Sequence, residues 1–115
     1  MSALREKQSR FVRYVGRLIT FSVNAGYDLT FGECYRTPQQ AQWNAEHGLG
    51  IANSLHTERL AIDLNLFRNG DLVTGVSDYQ PLGEFWESLS TDCAWGGRFA
   101  KPDQYHFSVA HDGRR

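Results

Sequence analysis

Two short stretches hold most of the residues in this 115-residue chain that could do chemistry, Ser54 to Asp63 and Pro102 to Phe107. Between them they supply two imidazoles and a carboxylate, His56, His106 and Asp63. That is a donor set for catalytic zinc, where three protein ligands leave a fourth position for water. A metal held by two neutral imidazoles and one carboxylate stays weakly positive and lowers the pKa of its water towards neutrality. The water's proton then needs an acceptor. Asp103, three residues before His106, is the candidate, provided that residues 101–104 turn. In a flat strand that odd offset would put the two side chains on opposite faces, and Pro102 favours the turn by fixing φ. Residue types alone leave a second reading open. In it His56 is a loop histidine, Asp63 and Asp103 cap turns, and His106 hydrogen-bonds within a sheet.

The elements that must position these groups can be read from periodicity. Residues 2–24 predict one amphipathic helix, with Leu4, Phe11, Val15, Leu18, Ile19 and Ser22 on its inner stripe and Asn24-Ala25-Gly26 as its stop. A loosely alternating strand is expected over Tyr27–Tyr35. Thr37 then caps a short helix that has Pro38 at its first position and Gly48 at its end. Gly48–Thr57 reads as a loop. Leu60–Phe67 is the clearest strand, with Leu60, Ile62, Leu64 and Leu66 on one face and Asp63 on the other. Asn69-Gly70 marks a hairpin turn leading into Leu72–Thr74. Pro81–Ser90 suits another helix, and Tyr105–Ala110 a last strand with His106 and Ser108 on the face opposite Tyr105, Phe107 and Val109. The expected class is α+β, a small antiparallel sheet with helices packed on one side. Trp43 and Trp86 are expected in the core, and His47 and His111 at the surface.

Composition narrows the function. The net charge of −1 lacks the basic excess of a nucleic-acid binder, and Arg5, Lys7, Arg10, Arg13 and Arg17 read as a solvated helix face. The uncharged run Leu18–Tyr27 falls short of the roughly 20 apolar residues of a membrane span, so no stable membrane insertion is expected. No export signal is read, so synthesis in the cytoplasm is expected. Cys34 and Cys93 form no CxxC pair; two buried thiols are expected rather than a disulfide. Residues 1–115 are read as one domain, without room for a separate cell-wall-binding domain.

The pattern Ser54-x-His56 with Ala61-x-Asp63, followed by Asp103-x-x-His106, resembles the signature of zinc peptidases that include D-alanyl-D-alanine carboxypeptidases and phage L-alanyl-D-glutamate endopeptidases. Trp95-Gly96-Gly97 and Tyr35-Arg36-Thr37-Pro38 are similar to the family as well. One position departs from it, because Arg59 stands where the family has glycine. The resemblance implies the hedgehog-like D-alanyl-D-alanine peptidase fold and one Zn2+ per chain on His56, Asp63 and His106. It also implies Asp103 as general base. Arg36 would bind the substrate carbonyl or carboxylate, or else form an ion pair. Ser54 would orient substrate or support His56. Trp95 and Gly96 would line the cleft, a core role for Trp95 being the alternative. The implied partner is bacterial peptidoglycan, cut by a monomer. The Asp at the catalytic-acid position and the absence of a signal resemble phage endolysins, made in the host cytoplasm and released onto the wall. The resemblance therefore favours an L-alanyl-D-glutamate endopeptidase, with a D-alanyl-D-alanine carboxypeptidase or a non-catalytic zinc- or wall-binding domain as alternatives. A non-haem iron oxygenase uses the same donor types, but the seven-residue gap between His56 and Asp63 argues against it.

Overall fold

The first helix is set by its ends. In the computed structural model, which describes residues 2–115, the Ser2 side chain accepts from the Arg5 N–H at 3.1 Å and starts α1 (Ala3–Asn24). Gly26, at φ 94°, then turns the chain away. The expected inner stripe is buried at Phe11, Val15, Leu18 and Ser22. The domain expected over 1–115 is thus described except at Met1, which lies outside the described residues.

After α1 come β1 (Asp28–Phe31), α2 (Pro38–Glu46), a 3-10 turn (Leu55–Glu58), β2 (Ala61–Arg68), β3 (Asp71–Leu72), α3 (Val76–Leu89), β4 (Cys93–Trp95), a second 3-10 turn (Gly96–Arg98) and β5 (His106–Val109). All strand pairings are antiparallel, in the order β1-β2-β5-β4 with β3 paired to β2. Asn69 and Gly70, at φ 53° and 83°, make the β2–β3 turn, whose two left-handed residues suit the twist of a two-residue hairpin. Helices α1 and α3 share one core with the sheet face bearing Leu64, Leu66, Phe107 and Val109. Trp86 is its centre: fully buried, edge-on to Phe11 and Phe107, with Nε1 donating to the Ser108 carbonyl at 3.0 Å. The Tyr79 hydroxyl accepts from the Leu66 N–H and donates to the Val73 carbonyl, both at 3.0 Å, which ties α3 to the hairpin. The expected α+β class is the one found.

Four local expectations are corrected. The strand expected to run to Tyr35 stops at Phe31, because a bulge intervenes. Asp63 bonds to two successive residues there: its carbonyl accepts from Gly32 and its N–H donates to the Glu33 carbonyl, both at 2.8 Å. Helix α3 begins at Val76 rather than Pro81. Pro81 lies inside the helix, and its missing N–H orphans only the carbonyl of Ser77, an exposed residue. Trp43 is 49% exposed rather than in the core, since α2 buries only Ala41. Cys93 is buried, with its thiol pushed up to about 12 by that burial, whereas Cys34 is exposed and unbonded. Among the described residues no helix is long and apolar enough to cross a membrane.

Candidate metal centre

The sheet itself delivers two of the three predicted ligands. Asp63 on β2 and His106 on β5 are direct cross-strand partners and share the face turned away from α1 and α3. Gly32 lets Asp63 sit there, since a Cβ at position 32 would come 2.9 Å from the Asp63 Cβ. Gly96 does the same for His106. A Cβ on Gly96 would meet the Asp103 carbonyl oxygen at 2.2 Å and the His106 Cβ at 2.8 Å.

His56 reaches the same point from the 3-10 turn between α2 and β2. Ser54 caps that turn, its Oγ accepting from the His56 N–H at 3.2 Å. Arg59 closes it in the left-handed conformation, at φ 57° and ψ 36°. The bend that the missing glycine put in question is thus accepted by arginine, at a cost of roughly 1–2 kcal/mol for a side-chain-bearing residue. Its guanidinium lies over the Tyr35 ring at 4.0 Å, which offsets about 0.5–1 kcal/mol of that. The turn is also held from both flanks. Gln8 on α1 donates to the Glu58 carbonyl at 2.8 Å, and Arg114 donates to the Asn53 carbonyl at 3.2 Å and sits 3.9 Å from the Glu58 carboxylate. His111, expected as a plain surface residue, is half-buried in this clasp, within 3.2 Å of Lys7 Nζ and 4.0 Å of Glu58.

His56 Nδ1 lies 2.8 Å from the Cys34 carbonyl, so it carries the proton and leaves the Nε2 lone pair for a ligand. Nε2 is 3.4 Å from Asp63 Oδ1, and His106 Nδ1 is 3.6 Å from the same oxygen. Tetrahedral zinc with bonds of about 2.0–2.1 Å has ligand–ligand edges of about 3.4 Å. The three donor atoms all lie within 4.8 Å of one another. Asp63 Oδ1 is nevertheless buried without a hydrogen bond, although two imidazoles face it. A buried carboxylate oxygen left this way is costly unless a cation completes it, so the residues present fit zinc. Burial by itself would raise the Asp63 carboxyl, but the flanking His106 and His56 outweigh it and hold it well below the ordinary carboxylate range. For His56, burial lowers the pKa, while Asp63 and the Cys34 carbonyl together raise it above the usual imidazole value.

The turn that the sequence required for Asp103 is present. Its carbonyl accepts from the His106 N–H at 3.1 Å, and its N–H donates to the Gly96 carbonyl at 2.9 Å. Asp103 is exposed as a residue, yet partial desolvation of its carboxyl and the nearby Asp63 charge push its pKa up, against the pull of His106 and His56.

The remaining predicted residues divide differently. Arg36 is engaged by Glu33, its Nε donating to both carboxylate oxygens at 3.0 and 3.1 Å and Nη2 bonding to Oε1 as well. Of the roles expected for Arg36, the ion pair is the one seen. Trp95 is 2% exposed, with Nε1 donating to the Gln104 carbonyl at 2.9 Å. It is a core residue under the Asp103 turn rather than a cleft wall. The expectation that Gly96 lines the cleft is corrected too: it is buried, and the space beside it is filled by Asp103 and His106. Ser54 supports His56. Sequence reasoning missed Glu33, the Cys34 carbonyl and the Gln8–Glu58–Arg114 clasp. Residue spacing signals none of these, because 33–36 is not helical and the clasp joins positions far apart in the chain.

Comparison with known proteins agrees with this geometry. A family model described as D-alanyl-D-alanine carboxypeptidase matches residues 39–109. No curated protein matches the chain. Among solved structures, the Serratia marcescens L-Ala D-Glu endopeptidase ChiX superposes with a TM-score of 0.73 at 17% identity, over 89% of this chain and 79% of that one. A mutant of the vancomycin-resistance D,D-pentapeptidase VanY, in complex with Zn(II), superposes with a TM-score of 0.59 at 18% identity, over 89% and 71% of the two chains.

Proposed function

The chain belongs to the D-alanyl-D-alanine carboxypeptidase family and is a zinc metallopeptidase; from that premise we propose that it hydrolyses an amide bond in the stem peptide of bacterial peptidoglycan. The observation that carries this reading is the buried, unbonded Asp63 Oδ1 between two imidazoles, with the Asp103 carboxyl beside them. In this reading His56, Asp63 and His106 hold the zinc. When bound, the zinc supplies Lewis acidity towards a carbonyl and an acidified water. The Asp103 carboxylate takes a proton from the attacking water and returns it to the leaving amine, and its raised pKa suits both halves of that transfer. The Cys34 carbonyl keeps the His56 proton on Nδ1. Asp63 and His106 are fixed by the register of β2 and β5.

The bond we favour is L-alanyl-D-glutamate, cut by a monomeric single catalytic domain acting on the wall as a phage endolysin does. A carboxypeptidase must hold a free substrate carboxylate, and Arg36, the cation expected for that task, is already paired with Glu33. The family description keeps D-alanyl-D-alanine carboxypeptidase as the second reading. Digestion of purified peptidoglycan followed by mass spectrometry separates them. New N-terminal D-glutamate is expected, whereas released D-alanine would replace this reading with the second. Asp103→Ala should abolish hydrolysis while zinc stays at about one per chain; retained hydrolysis would remove Asp103 from the mechanism.

A further inference from the structure

Helix α2 takes little part in the core, since Ala41 is its one buried residue. Its outer surface carries Gln39, Gln40, Gln42 and Asn44 around the exposed indole of Trp43. One indole face is stacked on the His47 imidazole, with centroids 3.9 Å apart and planes 20° apart, and His47 Nδ1 lies 2.7 Å from the Trp43 carbonyl. The ring is therefore held in place before any ligand arrives. Trp43 and Gln39 border two adjoining shallow depressions, one completed by Thr37 and Gln40, the other by Pro38, Gln42 and Glu46. The amides are oriented as well: Gln40 donates to Asn44 at 2.7 Å and Gln42 to Glu46 at 3.0 Å. Glu46, the one charged group, is thereby engaged by a neutral partner.

A rigid aromatic face ringed by carboxamides, without Lys or Arg, suits an uncharged ligand with an apolar face and a hydroxylated, amide-bearing edge. It suits neither nucleic acid nor an anionic lipid surface. We propose that α2 is a saccharide platform that takes an N-acetylated amino sugar of the glycan strand, resting on the reading of the chain as a peptidoglycan amidohydrolase. The segment that leads into α2 is tied to the turn bearing His56. Arg36, just before α2, donates its N–H to the His56 carbonyl at 3.1 Å. After the helix the chain returns to the same wall, where a Cβ on Gly50 would lie 3.7 Å from both Arg36 Nη1 and the Asn44 Cβ. At 1.5 Å per residue Trp43 stands only about 8 Å along the axis from the start of α2.

This proximity bears on which bond is cut. In peptidoglycan the first stem residue, L-alanine, is joined directly to the lactyl group of the muramic sugar. An enzyme that cuts after that residue has a sugar close to its metal, whereas the D-alanyl-D-alanine bond lies several residues further out. A sugar platform on the helix that follows the Arg36–His56 tie would favour the sugar-proximal bond.

The test uses the zinc-loaded full chain with two substrates, a disaccharide-tetrapeptide muropeptide and the same tetrapeptide without sugar but with an acylated N-terminus. The muropeptide should be preferred on the order of tenfold, through KM rather than kcat. Trp43→Ala should erase that preference and leave the free peptide's kcat/KM unchanged. Equal use of the two substrates by the unaltered protein would overturn the platform and leave the peptidase reading intact. Separately, N-acetylglucosamine tetramer should shift the indole fluorescence of the metal-free protein in a saturable way that Trp43→Ala removes, since Trp86 and Trp95 are buried. A tetramer response that survives in Trp43→Ala, or none in the unaltered protein, would overturn the platform. Tetramer binding through Trp43 without hydrolysis of either substrate would uphold the platform and defeat the peptidase reading alone.

Discussion

The metal centre is made of two halves built on different principles. Asp63 and His106 stand on neighbouring strands, and their spacing is a property of the sheet register. His56 stands on a 3-10 turn whose shape depends on a left-handed arginine, a serine cap and contacts from residues far away in sequence. The first half cannot move without breaking the ladder that also carries the core. The second enters the core at Leu55, and the bend beyond that residue can loosen while the strand ladder stays paired. Precision here comes from regular structure on one side and from assembled side-chain contacts on the other.

The strongest way to break the comparison is to remove a ligand from one half and a support from the other. Asp63→Asn should cost far more zinc affinity than any change outside the ligand set, because the oxygen shared by both imidazoles loses its charge; isothermal titration with zinc measures it. Loosening the other half should be milder and selective. Arg114→Ala should weaken zinc about 10-fold, the lower end of the effect of outer supports, while the urea midpoint of the metal-free protein shifts little. A stability loss as large as that of a core truncation would show that the clasp holds the fold rather than His56.

The pH profile offers a finer test of the sheet-borne side. As the proposed base, Asp103 works in its carboxylate form; desolvation and Asp63 raise its pKa, so activity should be lost as pH falls through a value above the ordinary carboxylate range. The acid limb of kcat/KM should therefore lie above pH ~4. A limb at or below the ordinary value would mean that the charge of the bound zinc offsets the desolvation and the Asp63 charge. The smallest effect is expected at Arg59. Arg59→Gly relieves the left-handed strain but gives up the Tyr35 contact, for a net change within about 1 kcal/mol. Arg59→Ala keeps the strain without the contact and should be the less stable of the two in thermal melts.

What was legible in the sequence follows the same division. Alternation along Leu60–Phe67 placed Asp63 on the face opposite the leucines, and alternation along Tyr105–Ala110 did the same for His106, because the period of a strand is a local property. The Asp103 turn was legible as a requirement before it was seen. His56 came only through the motif, since a backbone carbonyl such as that of Cys34 leaves no trace in residue type. The Gln8–Glu58–Arg114 clasp joins positions with no periodic relation at all. Trp43 belongs outside the core because α2 packs on little, although tryptophan is on average a highly buried residue; Pro81 lies inside α3 because proline favours the first turn of a helix without being confined to its first position. Gly96 was read for what could approach it from outside, when its own chain fills the space.

The clasp also has a bearing on the order in which the molecule assembles. Arg114 meets Asn53 and Lys7 meets the Ala110 carbonyl, so the chain must close loops of very different size before the turn bearing His56 is fixed. Contacts that span nearly the whole chain are late events in folding, since the entropy of closing the loop is spent before they form. The β2–β3 hairpin and α3 can form early, while the third ligand is set in place at the end. Zinc added to the refolding chain should therefore leave the rate of the main folding phase unchanged and slow unfolding instead, acting as a latch on a nearly finished molecule.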